Sequence, residues 1–370
     1  MSRIRVFFRA ARQLSAMLAF GFVVSGFSQS ISSKPPITSF DAPGAGTCAG
    51  CGTFPLEITA QGLISGYYID NDGVFHGFLR GLQGNITTYD APGAGTGSSQ
   101  GTHIYSQVPS GLFTGFYRDS SNNRHGFLAS LGGYFVSFDP AGSIATFSTN
   151  INPWGETGGH FLDSSLVSHG FVRTAAGTIT TVDAPDAGTN SGQGTTSSGV
   201  SCLNQSGVLV GEYTDSSDIT HSYVRAADGT ITEFDPTGYS SSRVASINAA
   251  GVIPGIGFDA AGATHGFVRA VDGTFTLFDV MGAGTGSGQG TQPEGINAGG
   301  VVIGNYVDSS NVNHGFVRYP GGGIAPFDAP GAGTCAGCGT IPLTNNSGNR
   351  ITGNWVDDNG VSHGFLAIFP

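Results

Sequence analysis

A repeated tripeptide constrains the fold more than any other feature of this chain. His-Gly-Phe occurs six times, and a seventh copy reads His221-Ser-Tyr. An aspartate lies six residues before each of these histidines. Self-similarity with spacings of 44 to 52 residues is typical of propeller blades. The seven pairs are Asp70 and His76, Asp119 and His125, Asp163 and His169, Asp215 and His221, Asp259 and His265, Asp308 and His314, and Asp357 and His363.

Each repeat contains four short segments rich in Val, Ile, Tyr and Phe, separated by Gly, Asp, Ser and Asn. Such segments predict strands joined by tight turns. The 370 residues include 62 glycines but one lysine and five glutamates, which argues against an ordinary helical protein. Seven four-stranded units predict an all-β, seven-bladed β-propeller that occupies residues 31–370 as a single domain.

The chain ends predict how this ring closes. The last unit stops at Pro370, directly after its His-Gly-Phe segment, and lacks a fourth strand. Residues 37–41 match the fourth strand of the other units but precede the first complete unit. We therefore expect residues 37–41 to pair with the C-terminal unit, which would remove the exposed edges of the sheet.

The N-terminus predicts export. Residues 1–30 place four arginines before an apolar run from about Leu14 to Phe27, as a signal peptide does. That run is too short and too glycine-rich for a transmembrane anchor. We therefore expect a secreted or periplasmic protein without a membrane span after cleavage.

The charge of the chain excludes nucleic-acid binding. Its net charge is −11, and loss of the four leader arginines leaves 10 basic against 25 acidic residues, a net charge of −15. Phosphate backbones require a basic surface. We expect a monomer whose partners are extracellular glycans or proteins.

The unit Gly-x-[Tyr/Phe]-x-Asp followed by His-Gly-Phe resembles the bacterial extracellular HAF-repeat proteins. This resemblance covers residues 37–370, although most copies here have Gly where the family name implies Ala. It implies export and a repeat architecture. It brings no established catalytic residues.

The Asp and His pairs are interpreted as structural, because catalytic sites are normally single whereas scaffold contacts recur in every repeat. The Asp ends one strand and the His begins the next, so the two side chains can face each other across a hairpin. The alternative is seven metal or acid–base pairs.

The glycine-rich stretches between units lack phosphate-binding spacing and are predicted to be surface loops on one face of the disc.

Four of the five cysteines form two Cys-x-x-Cys pairs, Cys48 with Cys51 and Cys335 with Cys338. Export favours disulfides, either within each pair or between the two loops. A tetrahedral zinc site and a redox pair are the alternatives. The fifth cysteine, Cys202, is expected to be a buried free thiol.

Calcium is the one weak metal candidate, at Asp70 and Asp72 and at Asp357 and Asn359. These residues precede glycines as in part of a calcium loop, but no downstream bidentate glutamate follows. The same composition is typical of tight hairpin turns. No other cofactor is expected.

The ligand-site prediction rests on residues that break the repeat. Outside the seven repeated histidines only His103 and His160 remain, and His160 lies near Trp154 and Glu156 in sequence. These three residues are the predicted ligand site, and no catalytic residue is assigned. The favoured function is a binding scaffold for a glycan, peptide or cell-surface partner. The alternatives are a propeller-type lyase or hydrolase acting at the channel mouth, and a purely structural envelope protein.

Overall fold

The computed structural model describes residues 36–197 and 199–369, and the predicted signal peptide, residues 1–30, lies outside the described residues. This part of the chain is all-β, with 28 strands and no helix that could span a membrane. The first fourteen strands are β1 (Ile37–Phe40), β2 (Gly52–Ile58), β3 (Ile64–Ile69), β4 (Phe75–Arg80), β5 (Ile86–Tyr89), β6 (Gly101–Gln107), β7 (Leu112–Arg118), β8 (Arg124–Ser130), β9 (Phe135–Phe138), β10 (Ser143–Ile151), β11 (Thr157–Asp163), β12 (Ser168–Arg173), β13 (Ile179–Val182) and β14 (Gly194–Thr196). The second fourteen are β15 (Leu209–Thr214), β16 (Thr220–Arg225), β17 (Ile231–Phe234), β18 (Ser242–Val244), β19 (Ile253–Phe258), β20 (Thr264–Arg269), β21 (Phe275–Phe278), β22 (Gly290–Ile296), β23 (Val302–Val307), β24 (Asn313–Arg318), β25 (Ile324–Phe327), β26 (Gly339–Asn345), β27 (Arg350–Val356) and β28 (Ser362–Ile368).

These strands pair antiparallel in groups of four that follow the sequence repeat. Unit 1 comprises β2 to β5, unit 2 β6 to β9, unit 3 β10 to β13, unit 4 β14 to β17, unit 5 β18 to β21 and unit 6 β22 to β25. Unit 7 comprises β26, β27 and β28 together with β1 from the other end of the chain.

The fourth strand of unit 7 is β1. Ile37 lies opposite Ala367 and Phe40 opposite Gly364 in an antiparallel register. Unit 7 also contacts unit 1, because Ser362 forms a parallel bridge to Gly52. The last unit along the chain therefore lies against the first.

The aromatic residue of each His-Gly-Phe copy forms the core of its unit. All seven of these rings are fully buried. In units 1, 3, 4 and 5 the repeated glycine of the second strand lies directly against this ring: a Cβ on Gly66 would come within 2.9 Å of the Phe78 ring. The repeat thus places a glycine beside the buried ring, where a larger residue would overlap it. The seven rings are Phe78, Phe127, Phe171, Tyr223, Phe267, Phe316 and Phe365.

The first strands of neighbouring units contact one another. Glu57 of unit 1 accepts a hydrogen bond from the Gln107 backbone of unit 2, and Ser106 of unit 2 accepts one from the Ile151 backbone of unit 3. Asparagine side chains continue the series by donating from unit to unit: Asn152 to the carbonyl of Asn204, Asn204 to Asn248, Asn248 to Asn297, Asn297 to Asn346 and Asn346 to Thr59.

Candidate ligand chamber

One layer of the interior does not follow the repeat. In every unit, the residue after the repeated glycine of the second strand lies opposite a residue of the first strand. These positions are equivalent in register, yet no two units have the same pair of side chains there. We call these fourteen residues the variable layer: Phe54 and Tyr67, His103 and Phe116, Phe147 and His160, Thr196 and Glu212, Arg243 and Ile256, Gln292 and Asn305, and Ile341 and Asn354.

Units 1 to 3 supply an unbroken series of aromatic rings to this layer. Successive ring centroids lie 4.5 to 5.1 Å apart, within the usual range for aromatic contacts. Burial lowers the pKa of His103 to about 3 and that of His160 to about 4, so both imidazoles are neutral at pH 7. The six rings are, in order, Phe54, Tyr67, His103, Phe116, Phe147 and His160.

Units 4 to 6 supply the polar part of the layer, which borders a cavity. Its volume is about 450 Å³, and its charged or amide side chains are Glu212, Arg243, Gln292 and Glu294. We call this the polar cavity. Glu294 lies at a β-bulge in β22, between Pro293 and Gly295. A β-bulge changes the direction in which the side chain points relative to the regular strand. A cavity with a few converging polar groups is the usual form of a small-ligand site.

The two carboxyl groups of the polar cavity are hard to ionise. Burial raises the pKa of Glu212 to about 7, although the charge of Arg243 and a hydrogen bond from Thr196 oppose the shift. Burial and then the charge of Glu212 raise the pKa of Glu294 to about 8. Both carboxyls therefore change charge near neutral pH, which is a property of functional acids.

A third interior glutamate, Glu57 of unit 1, accepts hydrogen bonds from two other units. Glu57 accepts hydrogen bonds from the Gln107 backbone at 2.7 Å and from the Ser201 hydroxyl at 3.4 Å, and burial raises its pKa to about 7. Ser201 belongs to the connection between β14 and β15. Asn204 follows Gly194 by ten positions, whereas the equivalent Asn297 of unit 6 follows Gly290 by seven. The longer connection of unit 4 thus reaches unit 1.

The three predicted ligand residues do not form one site. Trp154 and Glu156 line a separate cavity of about 310 Å³ together with Arg225. Trp154 is 69% exposed, and its indole donates a hydrogen bond to the Gln205 carbonyl. His160 is absent from that lining and stacks on Phe147 in the variable layer. The sequence neighbours of His160, Trp154 and Glu156, are thus not its neighbours in space.

The predicted aspartate–histidine pairs face each other across their hairpins, with 3.4 to 4.0 Å between Nε2 and the carboxylate. Sequence reasoning missed a second, closer aspartate on the other ring nitrogen. It follows the fourth strand of the same unit and lies 2.6 to 3.1 Å from Nδ1. These second aspartates are Asp90, Asp139, Asp183, Asp235, Asp279, Asp328 and Asp41, in the order of the seven histidines.

These contacts predict a pH-dependent contribution to stability. Burial disfavours the charged form of His125, but the hydrogen bonds and charges of Asp139 and Asp119 outweigh it and raise its pKa. The stabilisation is therefore complete below the unfolded pKa of about 6.5 and disappears as the pH rises through the folded value.

We expect His125→Gln to cost more unfolding free energy at pH 5.5 than at pH 9, measured by urea denaturation. His103→Gln is the control with the opposite sign, because the pKa of His103 is lowered on burial. An equal loss at both pH values for His125→Gln would show that the two aspartates do not raise the pKa of His125 on folding.

The calcium candidates are engaged within their hairpins. One oxygen of Asp70 accepts hydrogen bonds from the backbone of Asp72 and Val74, and Asp357 contacts Asn359 and Val361 in the same way. Aspartates of the other units make the same pair of backbone contacts without a calcium-like sequence. The repeated hairpin thus accounts for these contacts.

The cysteines form disulfides within each predicted pair, Cys48 with Cys51 and Cys335 with Cys338. Both are consistent with an oxidising compartment. Both loops flank the turn that begins at Asp357: Gly50 donates to the Gly360 carbonyl, and Thr334 donates to the Asp358 carboxylate. Cys202 is a buried free cysteine, as predicted.

Neither a protein-family model nor a curated protein matches this chain. Among solved structures, the BP39L lectin from Burkholderia pseudomallei is 10% identical, with a TM-score of 0.53, over 82% of this chain and 92% of the lectin. A prolyl endopeptidase is 9% identical with a TM-score of 0.59, and a puromycin hydrolase is 13% identical with a TM-score of 0.50. These two matches cover 89% and 88% of this chain, which spans half the length of each enzyme. The similarities show that the chain has a β-propeller fold.

Proposed function

We propose that this protein is an exported seven-bladed β-propeller, closed by β1 on β28, that binds a glycan in the polar cavity. The seven antiparallel units, the pairing of Ile37 with Ala367 and the bridge from Ser362 to Gly52 support the closed ring. The two disulfides, the sequence of residues 1–30 and the resemblance to HAF-repeat proteins support export.

The observation that carries the binding proposal is the variable layer. A repeat keeps the same residue wherever packing requires it, as the seven buried rings of the His-Gly-Phe copies illustrate. In the variable layer the register is equivalent but the side chains differ, so packing of the repeat does not account for their identity. A site for one asymmetric ligand requires such a departure from symmetry.

The chemistry of the layer suits a glycan. Carboxylates, amides and a guanidinium form directional hydrogen bonds with sugar hydroxyls, and Glu212, Glu294, Gln292 and Arg243 supply all three types. The aromatic rings of units 1 to 3 offer apolar surfaces of the kind on which sugar rings stack. The fold shared with the BP39L lectin is consistent with this function.

A hydrolase is the second candidate, and the two carboxyl groups favour it. Glu212 and Glu294 border one cavity and have pKa values of about 7 and about 8, so one can be protonated while the other is ionised. Such a pair is the usual requirement for glycoside hydrolysis. Release of reducing sugar by the wild-type protein, and its loss in Glu294→Gln, would support this alternative.

A glycan array followed by calorimetry tests the binding proposal on residues 31–370. We expect Arg243→Ala and Glu212→Gln to weaken binding of the best ligand about 10- to 100-fold, because each removes charge-assisted hydrogen bonds. Glu156→Gln, in the separate cavity beside Trp154, is the control and should leave binding unchanged. Absence of any glycan ligand, or binding lost only in Trp154→Ala and Glu156→Gln, would refute the polar cavity as the site.

A further inference from the structure

We infer that the glycan bound by the polar cavity carries an ammonium group, which Glu212 and Glu294 hold between them. This inference rests on the proposed function and specifies its ligand class. It is drawn from the charges that border the polar cavity and from their lack of partners within the described residues.

The charged groups of the polar cavity are not paired with each other. Within residues 36–197 and 199–369, every ion pair shorter than 4.0 Å joins a histidine to an aspartate. Arg243 lies over the ring of Phe258 at 5.5 Å and not against either glutamate. Three ionisable side chains therefore border one cavity without forming an ion pair within 4.0 Å among the described residues.

The two carboxyl groups also have few hydrogen-bond partners among the described residues. The Glu212 carboxylate accepts one long bond, from the Thr196 hydroxyl at 3.4 Å. No donor among the described residues reaches the carboxylate of Glu294 within hydrogen-bond distance. Buried carboxylates are normally paired or well hydrogen-bonded, because desolvation is otherwise costly. A ligand that supplies a cation and several N–H donors satisfies both groups at once.

The charge balance favours a cation over an anion once both acids are ionised. Two carboxylates and one guanidinium give the cavity a charge of −1 when both acids are ionised, and an ammonium group neutralises it. An acidic sugar would gain one contact with Arg243 but would face two carboxyls. The Gln292 amide nitrogen and the remaining oxygens are then available for hydroxyl groups of the same ligand.

Ammonium binding should also release protons. The pKa values of about 7 for Glu212 and about 8 for Glu294 mean that the free cavity is partly protonated at pH 7. A cation favours the ionised carboxyls and lowers both pKa values. A neutral sugar has no such effect, so proton release distinguishes the two ligand classes.

Isothermal titration calorimetry with three tetrasaccharides tests the inference: deacetylated chitotetraose, N-acetylated chitotetraose and tetragalacturonate. Each is measured at pH 7 and 150 mM salt in two buffers of different ionisation enthalpy. We expect the deacetylated form to bind at least about 10-fold more tightly than the other two, and to release to the buffer the protons lost by the two carboxyls less those taken up by the amine. Glu294→Gln should remove most of this preference and the proton release, and Glu156→Gln should leave both unchanged.

Each other outcome overturns the inference in a recognisable way. Equal affinity for the acetylated and deacetylated forms would reject the ammonium group and leave the glycan proposal intact. A preference for tetragalacturonate would assign recognition to Arg243 instead. Cationic binding that survives Glu294→Gln would be attraction to the acidic surface, and binding of no glycan at all would reject the proposed function together with its ligand class.

Discussion

Removal of residues 36–41 should destabilise the protein by about 5 kcal/mol, lowering the melting temperature by about 10 °C or more. The deletion removes β1, the Phe40 ring that packs edge-on against Phe78 and beneath Arg80, and the Asp41 carboxylate that contacts His363. It also leaves β28 as an exposed edge, which invites association with other chains. Calorimetry and light scattering on residues 31–370 and 42–370 measure both effects.

A circular permutant supplies the matched control. Residues 36–41 are moved to the C-terminus, behind a turn copied from residues 319–323, which connect the third and fourth strands of unit 6. If β1 acts as the fourth strand of unit 7, the permutant regains most of the lost stability because the same pairs form within a hairpin. A truncated protein as stable as the full one, or a permutant no better than the truncated protein, would exclude closure by β1.

Gly101→Ala should destabilise the protein by about 4 kcal/mol. Gly101 has a φ of +113°, and a Cβ there would overlap the carbonyl oxygen of Phe75, to which β6 is bridged. The substitution thus forces apart the contact between units 1 and 2. Gly111 also has a positive φ, +89°, but no atom lies within 4 Å of its Cβ position.

Gly111→Ala is therefore the control for backbone strain alone and should cost about 1 kcal/mol. Urea denaturation of the two variants separates the cost of backbone strain from the cost of steric overlap, since only Gly101→Ala adds the overlap. Equal losses would mean that positive φ, and not the contact between units, sets the requirement for glycine.

The architecture was predictable because the repeat encodes it locally. Strand, turn and buried ring recur within each copy, so the spacing of the His-Gly-Phe copies was sufficient to predict four strands per unit. The contact of each histidine with its second aspartate could also have been predicted from the sequence. In six units this aspartate lies 14 residues after the histidine, as Asp90 does after His76. These 14 residues run from the third strand of a unit to the end of its fourth strand.

The polar cavity was less predictable. Glu156 and His160 are close in sequence, but a strand rises about 3.3 Å per residue, so four residues separate them by about 13 Å. The polar cavity collects Glu212, Arg243 and Glu294 from three units, and each residue is unremarkable within its own. Aligning the copies on the repeated glycine of the second strand would have revealed that the next position holds six different residue types in seven units.

The central claim is that the ligand binds where the sevenfold repeat breaks. A crystal structure of the protein with the best glycan from the array tests this most directly. We predict a sugar residue within hydrogen-bond distance of Glu212, Arg243 and Glu294, in a protein whose seven units are otherwise unchanged. A glycan bound at Trp154, or on the rim formed by the aspartates and histidines, with the polar cavity unoccupied, would contradict the account.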